Sequence, residues 1–346
     1  MTRVTRAVRA SGGAGTAGAG LSLRLRFRFR GGRRIAALLT ATALVTGLAA
    51  CVPEASTRPL VVATTNILGD VTARLVGDDV EVLTLMPPDA DPHSFEISAQ
   101  TAARMREAEL IVGNGLGLEE GLAAHVDAAA ADGVPVFLAG DHLDVLDHAE
   151  GDSAGTPDPH FWTDPARMID VVTALGDELA TLDGLAVAGT DAGADTSRTA
   201  AAIAEHTDAY LAELGELDAE MAAAFDAIPA AQRALVTNHH VFGYLAERFG
   251  FRVIGAVIPS GTTLAAPSAS DLRELVAAID EAGVPTVFAE SSQPDRLVQV
   301  LADEADRDVA VVELISESLT AADGDAPTYL DLMRVNTARI SDGLSR

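Results

Sequence analysis

The sequence predicts an α/β fold of two similar lobes with parallel sheets joined by a long rigid helix, and three patterns carry that prediction. Four apolar runs rich in β-branched residues come first, at Leu60–Ile67, Val80–Met86, Leu110–Asn114 and Pro135–Ala139. A second four follow at Ala234–His239, Phe251–Ile258, Thr286–Ala289 and Val309–Ile315. Each set alternates with helical patterns, the order expected when parallel strands are linked by helical crossovers. Between the sets lies Thr196–Ala227, rich in Ala, Glu and Leu and free of Pro and Gly except Gly215. At about 1.5 Å per residue this helix extends about 48 Å, the length of a domain.

The connecting segments follow suit. Ala99–Ala108 and Leu118–Ala131 read as helices of the first lobe, and Met168–Leu182 as a helix ahead of the long one. Phe242–Arg248, Ser268–Ala282 and Pro294–Glu304 are the helices of the second. The Gly/Ala/Asp stretch Gly184–Asp195 reads as a surface loop. The resulting organisation is a leader at 1–50, a tether at 51–58, an N-terminal lobe at 59–190, a linking helix at 191–228 and a C-terminal lobe at 229–346.

Charge excludes several function classes. Of 24 basic residues, all Arg, nine fall in residues 1–50, leaving 15 Arg against 51 acids in the remainder. A surface this acidic repels phosphate, which argues against a nucleic-acid partner. Without lysine there is no Schiff-base chemistry and no phosphate-loop lysine. The one cysteine, Cys51, leaves no internal disulfide, Cys-rich zinc finger or iron–sulfur cluster. Any metal must sit on His, Asp and Glu.

The N-terminus reads as an address. Arg30, Arg33 and Arg34 precede the uncharged run Ile35–Ala50, which closes on Leu48-Ala49-Ala50-Cys51. Basic flank, apolar run and small-residue site are the parts of a secretory signal peptide, and the run is short for a membrane span. The ending resembles a bacterial lipobox, which implies lipidation of Cys51 and a mature protein tethered to the outer face of the cytoplasmic membrane through Val52–Arg58.

Two histidines occur in the same phrase, Asp91-Pro92-His93 and Asp158-Pro159-His160. Proline fixes its own φ and holds the preceding residue extended, so each imidazole is presented from a stiff loop. His93 comes after the second strand, His239 ends the fifth, and Glu317 follows the last. The four candidates are read as lying at comparable strand ends, where open α/β sheets bind ligands. Two come from each lobe, so a cleft between lobes can collect them. Three imidazoles and a carboxylate suit Zn²⁺, which takes nitrogen and oxygen ligands tetrahedrally, whereas Mn²⁺ prefers more oxygen and higher coordination. His240 competes with its neighbour His239 for the third place, and Glu290 or water with Glu317 for the fourth.

The paired Asp-Pro-His phrases, His239-His240-Val241-Phe242-Gly243-Tyr244, Phe288-Ala289-Glu290-Ser291 and Tyr329-x-x-x-Met333-x-x-Asn336, together with the lipobox, resemble the metal-binding lipoproteins of ABC importers for zinc and manganese. The resemblance spans nearly all of residues 59–346. It implies metal ligation by His93, His160, His239 and Glu317. It also implies delivery to an ABC permease with its separate ATPase, by a chain acting as a monomer. Glu in the third place resembles the manganese binders of the family and His the zinc binders; this chain has His239. His240 stands where many relatives carry Asp, and Glu317 where Asp is frequent.

The rival readings are a manganese- or iron-binding importer component on the same fold, and a zinc hydrolase. The second lacks His-Glu-x-x-His, a Gly-x-Ser-x-Gly elbow and a Gly-rich phosphate loop. Asp141–Asp152 holds His142, His148 and five acids, and reads either as a metal-capture loop or as an acidic surface loop. His125 and His206 read as solvated, and Phe161 and Trp162 as cleft wall. Because imidazole binds metal only when neutral, affinity is expected to fall as pH drops through about 6.5.

Overall fold

The computed structural model describes residues 58–185 and 192–345. The leader, Cys51, the start of the tether and much of the Gly184–Asp195 loop lie outside the described residues. Thr57–Arg346 forms one compact unit.

The first lobe holds four parallel strands, β1 (Leu60–Ala63), β2 (Glu81–Thr84), β3 (Leu110–Gly113) and β4 (Val136–Leu138), in the order β2-β1-β3-β4. Its helices are α1 (Asn66–Val76), α2 (Ala99–Met105), α3 (Ala123–Ala131) and α4 (Pro165–Thr181). The leucine-to-alanine stretch expected from Leu118 becomes helical only at Ala123, because Gly115 and Gly117 and even Leu116 adopt positive φ in the preceding turns. Asp164 caps α4 through a bond from the Ala166 N–H, and Pro165 occupies the first turn, where no N–H is required.

The second lobe repeats the plan. It has β5 (Ala234–Thr237), β6 (Arg252–Ala256), β7 (Thr286–Glu290) and β8 (Ala310–Leu314), all parallel. Helices α6 (Gly243–Phe249), α7 (Ala269–Ala282), α8 (Arg296–Glu304) and α9 (Tyr329–Leu344) surround them. The hydrogen bonds form two ladders, β5-β6 and β7-β8, with β5 lying alongside β7. The spatial order is that of the first lobe, opened at its centre.

Alternation along the strands explains why both sheet faces are buried. Val61, Ala63, Leu110 and Val112 join the central core, while Leu60, Val62 and Ile111 turn outward beneath α2 and α3. Likewise Leu235 and Phe288 face the central core, and Ala234, Val236, Val287 and Ala289 pack under α7 and α8. The central core also takes the stripe Tyr210, Leu214, Leu217, Met221 and Phe225 from the linking helix α5 (Ala192–Asp226). Those spacings of three and four place all five on one helix face. One hydrophobic core thus runs through both lobes and the 35-residue helix that joins them.

Among the described residues no helix is long and apolar enough to cross a membrane. His206 is not merely solvated: its Nδ1 lies 3.1 Å from the carbonyl of Leu75, fixing α5 to the end of α1.

Candidate metal centre

Each Asp-Pro-His phrase folds as the stiff turn its proline dictates. Asp91 accepts the His93 N–H at 2.9 Å, and Asp158 accepts the His160 N–H at 3.0 Å, so both aspartates close a local ring two residues ahead. His239 stands two residues past the end of β5, where Thr237 Oγ1 donates to its carbonyl. Glu317 stands three residues past β8. The placement of His160 differs from the expectation. It follows an isolated antiparallel bridge between Asp147 and Pro157 and precedes a 3₁₀ turn, Phe161–Thr163, that leads into α4. It therefore belongs to a helix entry rather than a strand end.

These four side chains converge. The Nε2 of His93, His160 and His239 lie 3.0, 3.5 and 3.3 Å from Glu317 Oε1, and His160 Nε2 lies 3.3 Å from each of the other two Nε2 atoms. All four groups are between 0 and 2% exposed. A tetrahedron with metal–ligand bonds of about 2.0–2.1 Å has edges of about 3.3–3.4 Å; the three separations of 3.3 Å match that spacing, and those of 3.0 and 3.5 Å lie on either side of it. Neither carboxylate oxygen of Glu317 finds a well-directed hydrogen bond. A buried anion faced by three ring nitrogens and lacking donors is a set of groups suited to a cation.

The far nitrogens show how the rings are aimed. His160 Nδ1 is 2.7 Å from Asp158 Oδ1, and His239 Nδ1 is 2.7 Å from Glu290 Oε1. A carboxylate on Nδ1 fixes the tautomer that leaves Nε2 free to ligate. Glu290 is thus attached to the back of the His239 ring, on the side away from the cluster. His93 Nδ1 has no partner. Trp162 lies edge-on to His160 and donates its indole N–H to the Ser316 carbonyl at 2.8 Å, forming the wall expected of it.

The charges are strongly coupled. Burial opposes protonation of His160, but the adjacent Asp158 carboxylate outweighs it and raises the ring's pKa above the ordinary 6.5. Burial likewise opposes protonation of His239, and Glu290 and Glu317 together raise it well above that value. Burial would raise Glu317, yet the histidines around it hold it well below the usual carboxylate range.

His240 diverges from His239. It lines a separate cavity of 330 Å³ with His148 and Asp158, and burial lowers its pKa to about 4. His148 is buried, with Nδ1 3.8 Å from Asp158 Oδ2. His142 is exposed, stacked on Phe137 with ring centres 4.3 Å apart. His148 is close enough to Asp158 and His160 for the three to share one ion, a second buried group beside the first, whereas His142 belongs to no such group among the described residues. The orienting roles of Asp158 and Glu290 were missed from sequence. The first had a signal, a carboxylate two residues before each His, whereas the second depends on β5 lying beside β7.

Several known proteins are similar to this chain over most of its length. The zinc-binding protein TroA of Treponema pallidum is 29% identical over 329 residues, covering 90% of this chain and 99% of that one. The manganese ABC transporter substrate-binding lipoprotein PsaA of Streptococcus pneumoniae is 26% identical over 326 residues, covering 91% and 100%. The solved structure of T. pallidum TroA superposes with a TM-score of 0.73 at 28% identity over 84% of this chain and all of that one. A Mn-bound periplasmic metal-binding protein of Candidatus Liberibacter asiaticus gives 0.70 at 25% identity, over 83% of this chain and all of that one. Residues 61–343 match the family described as the periplasmic component A of the zinc-uptake complex, and the chain belongs to that family.

Proposed function

We propose that this chain is an extracytoplasmic zinc-binding protein that captures Zn²⁺ and delivers it to an ABC-type permease driven by a separate ATPase. His93, His160, His239 and Glu317 are its ligands. The observation that carries this reading is the tetrahedral spacing of three Nε2 atoms and one carboxylate oxygen, all buried, between two lobes. Three nitrogens and one oxygen at those separations favour zinc over larger, oxygen-seeking ions. With protein groups in all four places no coordination position is left for reactive water, which speaks for a carrier rather than a hydrolase.

In this reading residues 1–50 are a signal peptide, Cys51 is lipidated, 51–58 form a tether, and lobes at 59–190 and 229–346 flank the linking helix at 191–228. The lipoprotein names of several relatives support the anchor. The chain acts as a monomer, and His148, in the loop that also holds His142, assists metal capture from the neighbouring cavity. Manganese is the second reading, supported by the manganese-transporter names of relatives about 26% identical to this chain. Elemental analysis of protein purified without added metal, beside the His239→Ala variant, tests the assignment. One equivalent of zinc in the parent and none in the variant is expected; manganese in the parent, or zinc retained by the variant, refutes it.

A further inference from the structure

Resting on that reading, we propose that Asp91 is a positioning residue, a clasp that makes the grip of His93 on the ion depend on contact with the opposite lobe. Two ligand rings are held by carboxylates at Nδ1, but His93 Nδ1 has no partner, so on the side away from the cluster its aim is set by its loop. That loop is set by Asp91. One carboxylate oxygen accepts the His93 N–H at 2.9 Å. The other accepts from Ser94 Oγ at 3.0 Å in the same loop. That second oxygen also accepts from Thr263 Oγ1 at 2.7 Å and Gln293 Nε2 at 2.9 Å, both from the second lobe.

The ties at the base of the cleft are of another kind. Trp162 to Ser316, Tyr329 to the Trp162 carbonyl, and Asn66 to Ser318 and Leu319 are all buried, and they adjoin the core that runs through both lobes. Asp89 N–H also bonds the Leu319 carbonyl, anchoring the start of the His93 loop to that base. The Asp91 bonds lie at the half-buried rim, where water can replace them. Opening therefore begins at the rim, and His93 is the ligand that leaves first, while His160, His239 and Glu317 stay held by the base.

The test compares Zn²⁺ release from the full mature chain into excess EDTA for the parent, Thr263→Val, Thr263→Ser and the double variant Thr263→Val/Gln293→Met. None of these substitutions touches a ligand. Loss of two hydrogen bonds to a charged group predicts release at least about tenfold faster in the double variant. Thr263→Ser, which keeps the hydroxyl, restores the parent rate. The visible spectrum of the Co²⁺-substituted protein, which reports the ligand set, stays as in the parent. Parent-like release from the double variant, fast release from Thr263→Ser, or an altered Co²⁺ spectrum overturns the clasp while leaving the metal site standing. A parent chain that takes up no Zn²⁺ overturns the metal reading and the clasp together.

Discussion

Substituting Glu290→Gln isolates the electrostatic part of the metal centre. Glu290 Oε1 sits 2.7 Å from His239 Nδ1, and both side chains are essentially inaccessible, so solvent does not screen the bond. The amide keeps an acceptor in place but removes its charge. A hydrogen bond to a charged group contributes about 1.5–3 kcal/mol and a neutral one about half that, so the substitution weakens zinc binding by about 1–2 kcal/mol, or roughly tenfold. Outer groups that orient ligating histidines have effects of this order. Glu290 also raises the pKa of His239, so the parent loses more affinity to proton competition than the variant does. The deficit is therefore widest near pH 8 and narrows toward pH 6. Competition against a chromogenic chelator at both values measures it. Parent-like affinity at pH 8 refutes the orienting role, and a loss as large as that of His239→Ala makes Glu290 a ligand instead.

Four further outcomes follow from the geometry. Because His160 and His239 are raised above 6.5 in the metal-free protein, zinc affinity still climbs as pH rises above that value, so the decline on acidification begins at higher pH than ordinary histidine predicts; a flat titration between pH 6.5 and 8 contradicts this. Stability of the metal-free fold has the opposite sign. The raised histidines contribute fully below 6.5 and lose that contribution as pH rises through their folded values, while the depressed Glu317 contributes above 4.5 and loses it as pH falls through its own. At one fixed Zn²⁺ concentration the rise in Tm is thus larger at pH 8 than at pH 6, a concentration of a hundred times Kd giving about 2.7 kcal/mol of stabilisation, and calorimetry giving the reverse order refutes it. Trp162→Phe leaves the buried Ser316 carbonyl without its donor, at a cost of about 1–3 kcal/mol, read as a lower denaturant midpoint; an unchanged midpoint removes the indole from the lobe junction. His148→Ala slows zinc capture without altering tight binding and His142→Ala does neither; equal capture rates in stopped flow would end the role given to the 142–152 loop.

Much of the fold was legible because strand and helix periods are local properties. The eight apolar runs became eight strands, and the Pro- and Gly-poor segment after residue 195 became α5, starting four residues earlier than its expected Thr196. The two Asp-Pro-His phrases were equally readable, since proline geometry and an aspartate two residues upstream act within a few bonds. His160 was misplaced at a strand end because the turn that holds it is made by an isolated bridge between Asp147 and Pro157, which has no periodic signature.

From residue types alone came the lobes, the linking helix, the four candidate ligands and the exclusion of cysteine and lysine chemistry. Tertiary structure alone decided which of His239 and His240 turns toward the cluster, because two adjacent side chains past a strand end diverge and only the packing around them selects one. It alone separated Glu317 from Glu290, bringing the first to the Nε2 side of the rings and the second to the Nδ1 side. Distances of 3.0–3.5 Å between groups up to 224 positions apart arise from the way two sheets and one shared core are assembled, and no local pattern encodes them.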